Sequence, residues 1–264
     1  MPDLFPNTTV FLLCALVVAL AQLIYATVGF GAGMFSISLL ALILPDLSEA
    51  VATLLILGLV TEAWVLSHAW RQARIRLLLG LLPTTAIGLY VGTSLLAAGG
   101  ASGLKRALGV VVVSAGVWFL YQERTANRQT ANETPNRQTI SKKKMQWIGL
   151  PTGLLAGGLA GLFGTGGPPV IFLLKTYRLD KSAFRATILW YFLLIGILRG
   201  TGYVRADLLT RNELIAAVWL LPAAVLGTIA GMVVHRRLSE HHFGTAVSLL
   251  LTCLGIVLVV TGGK

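Results

Sequence analysis

Long apolar stretches separated by short polar segments run along the whole 264-residue chain. An α-helix rises about 1.5 Å per residue and the hydrocarbon core of a bilayer is about 30 Å thick. Eight stretches are long enough to cross or nearly cross it: 9–28, 48–68, 75–97, 104–121, 147–163, 184–203, 213–234 and 241–261. Two shorter ones, at 33–44 and 167–177, each follow a glycine cluster. The pattern predicts an all-α polytopic membrane protein with two short helices, each preceded by a glycine break.

The composition agrees with a membrane protein, since 56% of the residues are apolar and 12% are charged. A net charge of +11 would suggest nucleic acid in a soluble protein, but the basic residues here occupy segments between apolar stretches. This distribution follows the positive-inside rule, so we expect the lipid bilayer as a partner and no nucleic acid. The first basic residue is Arg71, so the first stretch lacks the basic start of a cleavable signal. We expect a multi-pass protein of the cytoplasmic (inner) membrane with a retained first span.

The only long polar segment lies at 122–146 and contains "NRQT" twice and "KKK" once. A segment of this composition cannot build a core, which predicts a flexible cytoplasmic linker. It divides the chain into a first transmembrane repeat, 1–121, and a second, 147–264.

The two halves resemble each other. "LLPTTAIGLYVG" at 81–92 matches "LLPAAVLGTIAG" at 220–231, and "GFGAG" at 29–33 matches "LFGTG" at 162–166. Several matches in the same order indicate an internal duplication, so we predict two homologous halves.

Glycines spaced four apart within full-length spans are expected to let helices pack closely. Such pairs are Gly88/Gly92 and Gly227/Gly231. Aromatic residues close to span ends are expected to anchor the protein at the membrane interface. These are Trp70, Trp147 and Tyr203.

Two topologies follow, depending on whether each short helix completes a crossing. If it does, each half crosses five times and the repeats are inverted, with 15 basic residues on the cytoplasmic side and 6 opposite. If each short helix is re-entrant, each half crosses four times, the repeats are parallel, and the distribution is 13 to 8. The positive-inside rule favours the inverted five-plus-five arrangement, with four-plus-four as the alternative.

The glycine clusters predict broken helices that bind an anion. Non-helical backbone at membrane depth is tolerated where it is buried in protein or lines a wet cavity. The first amides of the helix after the break have no partner inside it, and the helix dipole adds positive potential. In inverted repeats two such helix starts meet near the membrane midplane. The alternative is that these glycines also serve only close helix packing.

The predicted anion site draws on both clusters and on nearby hydroxyl groups. Its expected residues are Gly31, Gly33, Ser36, Gly164, Thr165, Gly166 and Gly167, with Gly29, Pro168 and Pro169 assigned to the breaks themselves. Thr53 and Thr187 open the next span in each half and are further candidates. A threonine hydroxyl can instead bond to its own helix, so both interpretations stay open.

Two charged residues lie inside or near the end of apolar spans, where charge is expensive. Glu62 lies in "LGLVTEAWVL" and Arg199 in "LIGILRGTGY", at related positions of the two halves. In the functional interpretation Arg199 binds the anion and Glu62 carries a coupling proton. In the alternative, Arg199 extends to the surface and Glu62 makes an interhelical hydrogen bond.

Enzyme chemistry is not indicated. The four histidines lie at span ends outside any His-Glu-x-x-His pattern, and no Gly-x-Ser-x-Gly motif occurs. Cys14 and Cys253 lie in apolar spans and imply neither a disulfide nor a metal. We expect no cofactor and no metal.

The layout as a whole is similar to that of the TauE/SafE family of sulfite and organosulfur-anion transporters, also called the toluene-sulfonate uptake permease family. The resemblance rests on "GFGAGMFS" opening the first half, "GLFGTGGPPV" opening the second, and the long linker between them. It implies movement of small anions such as sulfite or sulfonates across the cytoplasmic membrane, often outward.

Together these features predict a secondary transporter of a small anion, most readily sulfite or an organosulfonate, coupled to an ion gradient. A passive anion channel and a membrane scaffold without transport activity are the alternatives. A homodimer is a further possible assembly.

Overall fold

The computed structural model describes residues 5–28, 31–44, 46–67, 70–98, 101–129, 142–177, 179–235 and 240–261. Within these ranges all regular secondary structure is helical, with turns and irregular segments between the helices. The helices are α1 (Thr8–Val28), α2 (Ala32–Ile43), α3 (Leu47–Ser67), α4 (Ile75–Leu79), α5 (Leu82–Ala98), α6 (Ala101–Gln129), α7 (Lys142–Phe163), α8 (Gly167–Thr176), α9 (Lys181–Arg205), α10 (Arg211–His235) and α11 (Glu240–Thr261), with a 3₁₀ turn at Trp70–Gln72.

The all-α polytopic fold is confirmed. In the described part of the chain, five helices are long and apolar enough to cross a membrane, namely α1, α3, α6, α9 and α10. The short helices α2 and α8, with 12 and 10 residues, begin directly after the glycine clusters, as predicted. At about 1.5 Å per residue they reach only about 18 and 15 Å, so neither spans the hydrocarbon core alone.

The predicted single span at 75–97 is wrong in detail, because a turn at Gly80 and Leu81 separates α4 from α5. Pro83 lies in the first turn of α5, where its missing N–H costs no hydrogen bond, and Gly80 is a poor helix former. The matching Pro222 lies inside the continuous α10, where Trp219 stands at the position of Gly80. A glycine and a proline three residues apart end a helix that the proline alone does not.

Helices extend into both ends of the predicted linker. α6 continues to Gln129 and α7 begins at Lys142. Residues 130–141 lie outside the described residues, and the domain boundaries at 121 and 147 stay a prediction.

Three helix pairs dominate the packing: α1 with α10, α5 with α7, and α6 with α11. The predicted close packing at the spaced glycines is confirmed in the first two pairs. A Cβ on Gly88 would lie 2.1 Å from the Leu154 carbonyl oxygen, and one on Gly227 would lie 2.1 Å from the Ala19 carbonyl oxygen. Only glycine permits backbones to approach this closely.

The central layer consists of α2, α3, α8 and α9, which the outer pairs enclose. α3 packs against α9, α2 against α1 and α3, and α8 against α7 and α9. The starts of α2 and α8 therefore lie inside the bundle, away from lipid.

Candidate functional site

The two glycine breaks lie against each other at the centre of the bundle. Gly31 has φ +94° and Gly164 has φ +69°, and these are the glycines with positive φ in the described chain. They occupy the same place in the two matched motifs, and a left-handed conformation favours glycine. A Cβ on Gly33 would lie 3.2 Å from the Gly164 carbonyl oxygen. The structure thus brings the starts of both short helices together.

The two helix starts differ in the amides that they can offer. In α2 the first intrahelical bond of the new helix runs from the Phe35 amide to the Gly31 carbonyl oxygen, at 3.0 Å. The amides of residues 32–34 have no partner within the helix. In α8 the corresponding turn contains Pro168 and Pro169, which have no N–H, so Gly167 supplies the remaining donor. Both helices contribute a dipole, but α2 is the main source of amide donors.

A cavity of about 80 Å³ opens beside these helix starts. Its wall includes eight of the predicted residues, which are Gly31, Gly33, Ser36, Glu62, Gly164, Thr165, Gly167 and Arg199. A single water occupies roughly 10–15 Å³ on this measure, so the cavity has room for a few waters or one small anion.

Arg199 extends into this cavity from α9 and is only 9% exposed. Its Nη1 donates to the Ala160 carbonyl oxygen at 3.4 Å, and its Cζ lies 5.6 Å from the centre of the Tyr203 ring. Its buried Nε has no hydrogen-bond partner in the structure. A Cβ on Gly164 would lie 2.7 Å from Nη1, so the guanidinium rests directly over the second break. The alternative in which Arg199 reaches the surface does not fit this position.

Glu62 faces the same cavity from α3. Two glycines leave room for its carboxylate, Gly58 one turn earlier on α3 and Gly196 on α9, because Cβ atoms there would lie 3.7 and 3.6 Å from its oxygens. Glu62 and Arg199 are close enough for their charges to interact. They line one cavity without a direct ion pair between them.

A second cavity, of about 30 Å³, is also lined by these two charged side chains. The residues that line both cavities are Gly58, Glu62, Gly164, Phe192 and Arg199. The two cavities therefore adjoin each other at these shared residues.

Three predicted site residues do not line the larger cavity. Gly166 borders the smaller one, and its Cβ position lies 2.5 Å from the Ala156 carbonyl oxygen, which indicates close packing. Thr187 donates to the Ala183 carbonyl oxygen at 2.6 Å and accepts from the Arg74 amide at 2.9 Å. Thr53 is 1% exposed and borders neither cavity.

The structure describes two of the three residues that were predicted to form the breaks. Pro168 and Pro169 lie in the first turn of α8, as expected for prolines that start a helix. Gly29 lies outside the described residues.

Two polar residues of the cavity wall were missed by sequence reasoning. Gln22 and Tyr25, one turn apart on α1, are 6% and 5% exposed and both line the larger cavity. The pair "QLIY" in the middle of an apolar stretch was the available signal. An intramembrane glutamine followed one turn later by tyrosine indicates a polar face directed away from lipid.

The prediction that Tyr203 anchors the interface is wrong. Its side chain is fully buried, and its hydroxyl donates to the Gly161 carbonyl oxygen at 2.8 Å, so it fastens α9 to α7 and supports Arg199. Trp70 is 51% exposed, in keeping with an anchor, and the Trp147 side chain lies outside the described set.

Comparison with known proteins agrees with this architecture. The family model described as "Sulfite exporter TauE/SafE" matches residues 14–258. No curated protein and no solved structure matches the chain. The matched range covers both glycine breaks, both charged residues and nearly all of the helical bundle. The chain therefore belongs to the TauE/SafE sulfite exporter family, whose members are membrane transporters of sulfite and organosulfur anions.

Proposed function

We propose that this protein is a proton-coupled secondary transporter of a small oxoanion, with sulfite as the foremost substrate. The observation that carries the proposal is the buried guanidinium of Arg199, directed at two helix starts beside a small cavity. A buried charge without a direct ion-pair partner costs several kcal/mol, and an anion in the cavity would offset part of that cost.

The size of the cavity favours sulfite over large organosulfonates. About 80 Å³ accommodates one sulfur with its oxygens but leaves no space for an aromatic ring. Amides at the start of α2 and the guanidinium of Arg199 are hydrogen-bond donors suited to oxoanion oxygens.

Glu62 is the proposed proton carrier. A charged Glu62 competes with the substrate for the positive potential of Arg199, because both share the cavity. Substrate binding therefore favours protonation of Glu62, and protonation favours substrate binding by the same factor. A sulfite dianion that moves with one proton carries one net negative charge, which an inside-negative membrane potential drives outward.

The residues shared by the two cavities are where we place the conformational change of alternating access. Glu62, Phe192 and Arg199 line both the space of about 80 Å³ and the one of about 30 Å³. Rocking of α2 and α3 against α8 and α9 would enlarge the smaller space at the expense of the larger one.

The proposed internal duplication supports this movement. Gly88 approaches Leu154 and Gly92 approaches Gly158, while Gly227 approaches Ala19 and Gly231 approaches Leu23. The partners Ala19 and Leu154 are 135 positions apart, as are Leu23 and Gly158. The first helix of each half thus packs against the glycine-containing helix of the other half, α1 against α10 and α7 against α5. This reciprocal pairing is expected of two repeats related by a pseudo-two-fold axis, and we retain the inverted five-plus-five arrangement as a proposal.

Flux into proteoliposomes tests the function. Purified protein is reconstituted, and sulfite accumulation is followed with and without a proton gradient. A coupled carrier accumulates sulfite when a gradient is imposed, a channel only equilibrates it, and a scaffold leaves flux at background.

Arginine variants link the flux to the site. Arg199→Gln is expected to reduce sulfite transport by at least about 100-fold, because Arg199 is the only charged donor among the described residues of the cavity wall. Arg211→Gln removes an exposed arginine at the start of α10 and is the matched control. Wild-type flux in Arg199→Gln would refute the proposed binding role.

The cellular setting and assembly are also proposals. The apolar spans and the family place the chain in a membrane, and we assign it to the cytoplasmic (inner) membrane. A homodimer stays a prediction.

A further inference from the structure

Gln22 and Tyr25 carry polar atoms that the fold itself leaves unsatisfied. Both side chains are at least nine-tenths buried, and both line the larger cavity. The Gln22 Oε1 and the Tyr25 hydroxyl have no hydrogen-bond partner in the structure. Buried polar atoms are nearly always paired, so two unpaired ones on one cavity wall indicate that something in the cavity satisfies them.

Gln22 and Tyr25 face the proposed anion site rather than lipid. Ile24, between them in sequence, lies 3.8 Å from the Cβ position of Gly31, so this turn of α1 flanks the start of α2. The Phe192 ring is 6.5 Å from the Tyr25 ring and limits its orientation. The two polar groups therefore share the cavity with the α2 amides and with Arg199.

The second half has no such groups. With the 135-residue offset that relates α1 to α7, Gly157 corresponds in sequence to Gln22 and Ala160 corresponds to Tyr25. A Cβ on Gly157 would lie 2.1 Å from the Thr85 carbonyl oxygen, so this position is closed by backbone packing. The pair Gln22 and Tyr25 thus occurs in one half only. Since the corresponding helix of the other half packs without such polar groups, packing alone does not explain their presence.

We propose that Gln22 and Tyr25 are specificity-determining residues that hydrogen-bond the oxygens of the bound oxoanion that Arg199 does not reach. This inference rests on the proposed transport function. The tyrosine hydroxyl supplies one donor. The glutamine supplies the two N–H groups of Nε2 once its amide is turned so that Nε2, in place of the unpaired Oε1, faces the anion, since the two ends of an amide differ little in shape. Together with the guanidinium and the α2 amides they surround an anion with three or more oxygens. A carboxylate has two acceptor oxygens and a halide is a single small acceptor atom, so neither spans all the donors of this wall as a three-oxygen anion does.

The selectivity of the reconstituted protein tests this assignment. Sulfite transport is measured for wild type, Tyr25→Phe and Gln22→Leu, with acetate and chloride as competitors. Each variant is expected to raise the KM for sulfite by about 10- to 100-fold, the usual effect of losing a hydrogen bond to a charged group, with a nearly unchanged maximal rate. The inhibition constants of acetate and chloride are expected to change by less than about twofold, since these smaller acceptors can be held by Arg199 and the α2 amides without the lost donors.

Two further variants separate recognition from stability. Gln22→Glu places a carboxylate beside the anion and is expected to weaken sulfite binding more than Gln22→Leu does. Thr93→Val is the matched control, because Thr93 is also 5% exposed with an unpaired hydroxyl but borders neither cavity. It is expected to keep the wild-type KM.

Sulfite-dependent thermal shifts of detergent-purified protein provide a readout that does not need transport. Tyr25→Phe and Gln22→Leu should require about tenfold more sulfite for the same shift as wild type. If wild type itself neither transports nor binds sulfite, the proposed function fails. If wild type does both and the two variants keep its KM and its acetate selectivity, the specificity assignment is overturned and the function stands.

Discussion

Gly164→Ala distinguishes the backbone role of the second break from its role in positioning Arg199. At φ +69° an alanine costs about 1–2 kcal/mol in backbone strain. Its Cβ would also lie 2.7 Å from the Arg199 Nη1, where ordinary contact begins near 3.4 Å. The guanidinium is the far end of a flexible side chain and can retreat by about 1 Å, so this clash adds little to the loss of stability. Displacement of a binding group by about 1 Å can nevertheless reduce function by about 100-fold.

Gly31→Ala is the matched variant. Its φ of +94° imposes comparable strain, but the nearest atom to the new Cβ is Ile24 Cγ2 at 3.8 Å, which is ordinary contact. Thermal unfolding in detergent should therefore show a similar loss of stability in both variants. Sulfite flux in proteoliposomes should fall strongly in Gly164→Ala and much less in Gly31→Ala. Equal flux in the two variants, at equal stability, would refute the proposed dependence of transport on the position of Arg199.

Three further predictions address coupling, packing and capping. Glu62→Gln should make sulfite transport insensitive to pH and unable to use a proton gradient; a variant with the wild-type pH profile would exclude Glu62 as the proton carrier. Gly227→Ala should destabilise the protein by about 1–3 kcal/mol in a thermal unfolding assay, because its Cβ would lie 2.1 Å from the Ala19 carbonyl oxygen. Gly103→Ala is the control: its Cβ would have no atom within 4 Å, so this variant should be neutral or stabilising in the same assay. Asp180 caps α9, and hydrogen bonds from the Ser182 hydroxyl and the Ala183 amide lower its pKa below the ordinary 3.8. A lowered pKa stabilises the fold above pH 3.8, so the difference in melting temperature between wild type and Asp180→Asn should shrink as the pH falls through that region; a difference that stays constant would contradict the role of the charge.

The helices and their breaks followed from local pattern. Apolar length identified the spans, and the starts of α2 and α8 fell within a residue of the predicted positions, because glycine and proline act on the backbone where they stand. The same locality explains the misjudged span at 75–97. Gly80 and Pro83 together end a helix, but apolar continuity conceals their combined effect.

The composition of the cavity wall depended on contacts between distant segments. Thr53 and Thr187 occupy matching places in the two halves, yet of these two and Ser36 only Ser36 reaches the cavity, since rotation of a helix about its axis is set by the surfaces it packs against. Gln22 and Tyr25 were passed over because a polar residue in an apolar stretch does not reveal what it faces.

By itself, the sequence determined that this chain is a multi-span helical membrane protein with two interrupted helices and two intramembrane charges. These properties depend on residue type and spacing along one chain segment. Only the tertiary structure decided that the interruptions touch, that Arg199 lies over Gly164, and that α1 contributes two unsatisfied polar groups to the same cavity. Such juxtapositions join different helices, with Gly33 and Gly164 131 positions apart and Gly164 and Arg199 35 apart, and close packing between helices, rather than any local preference, selects them.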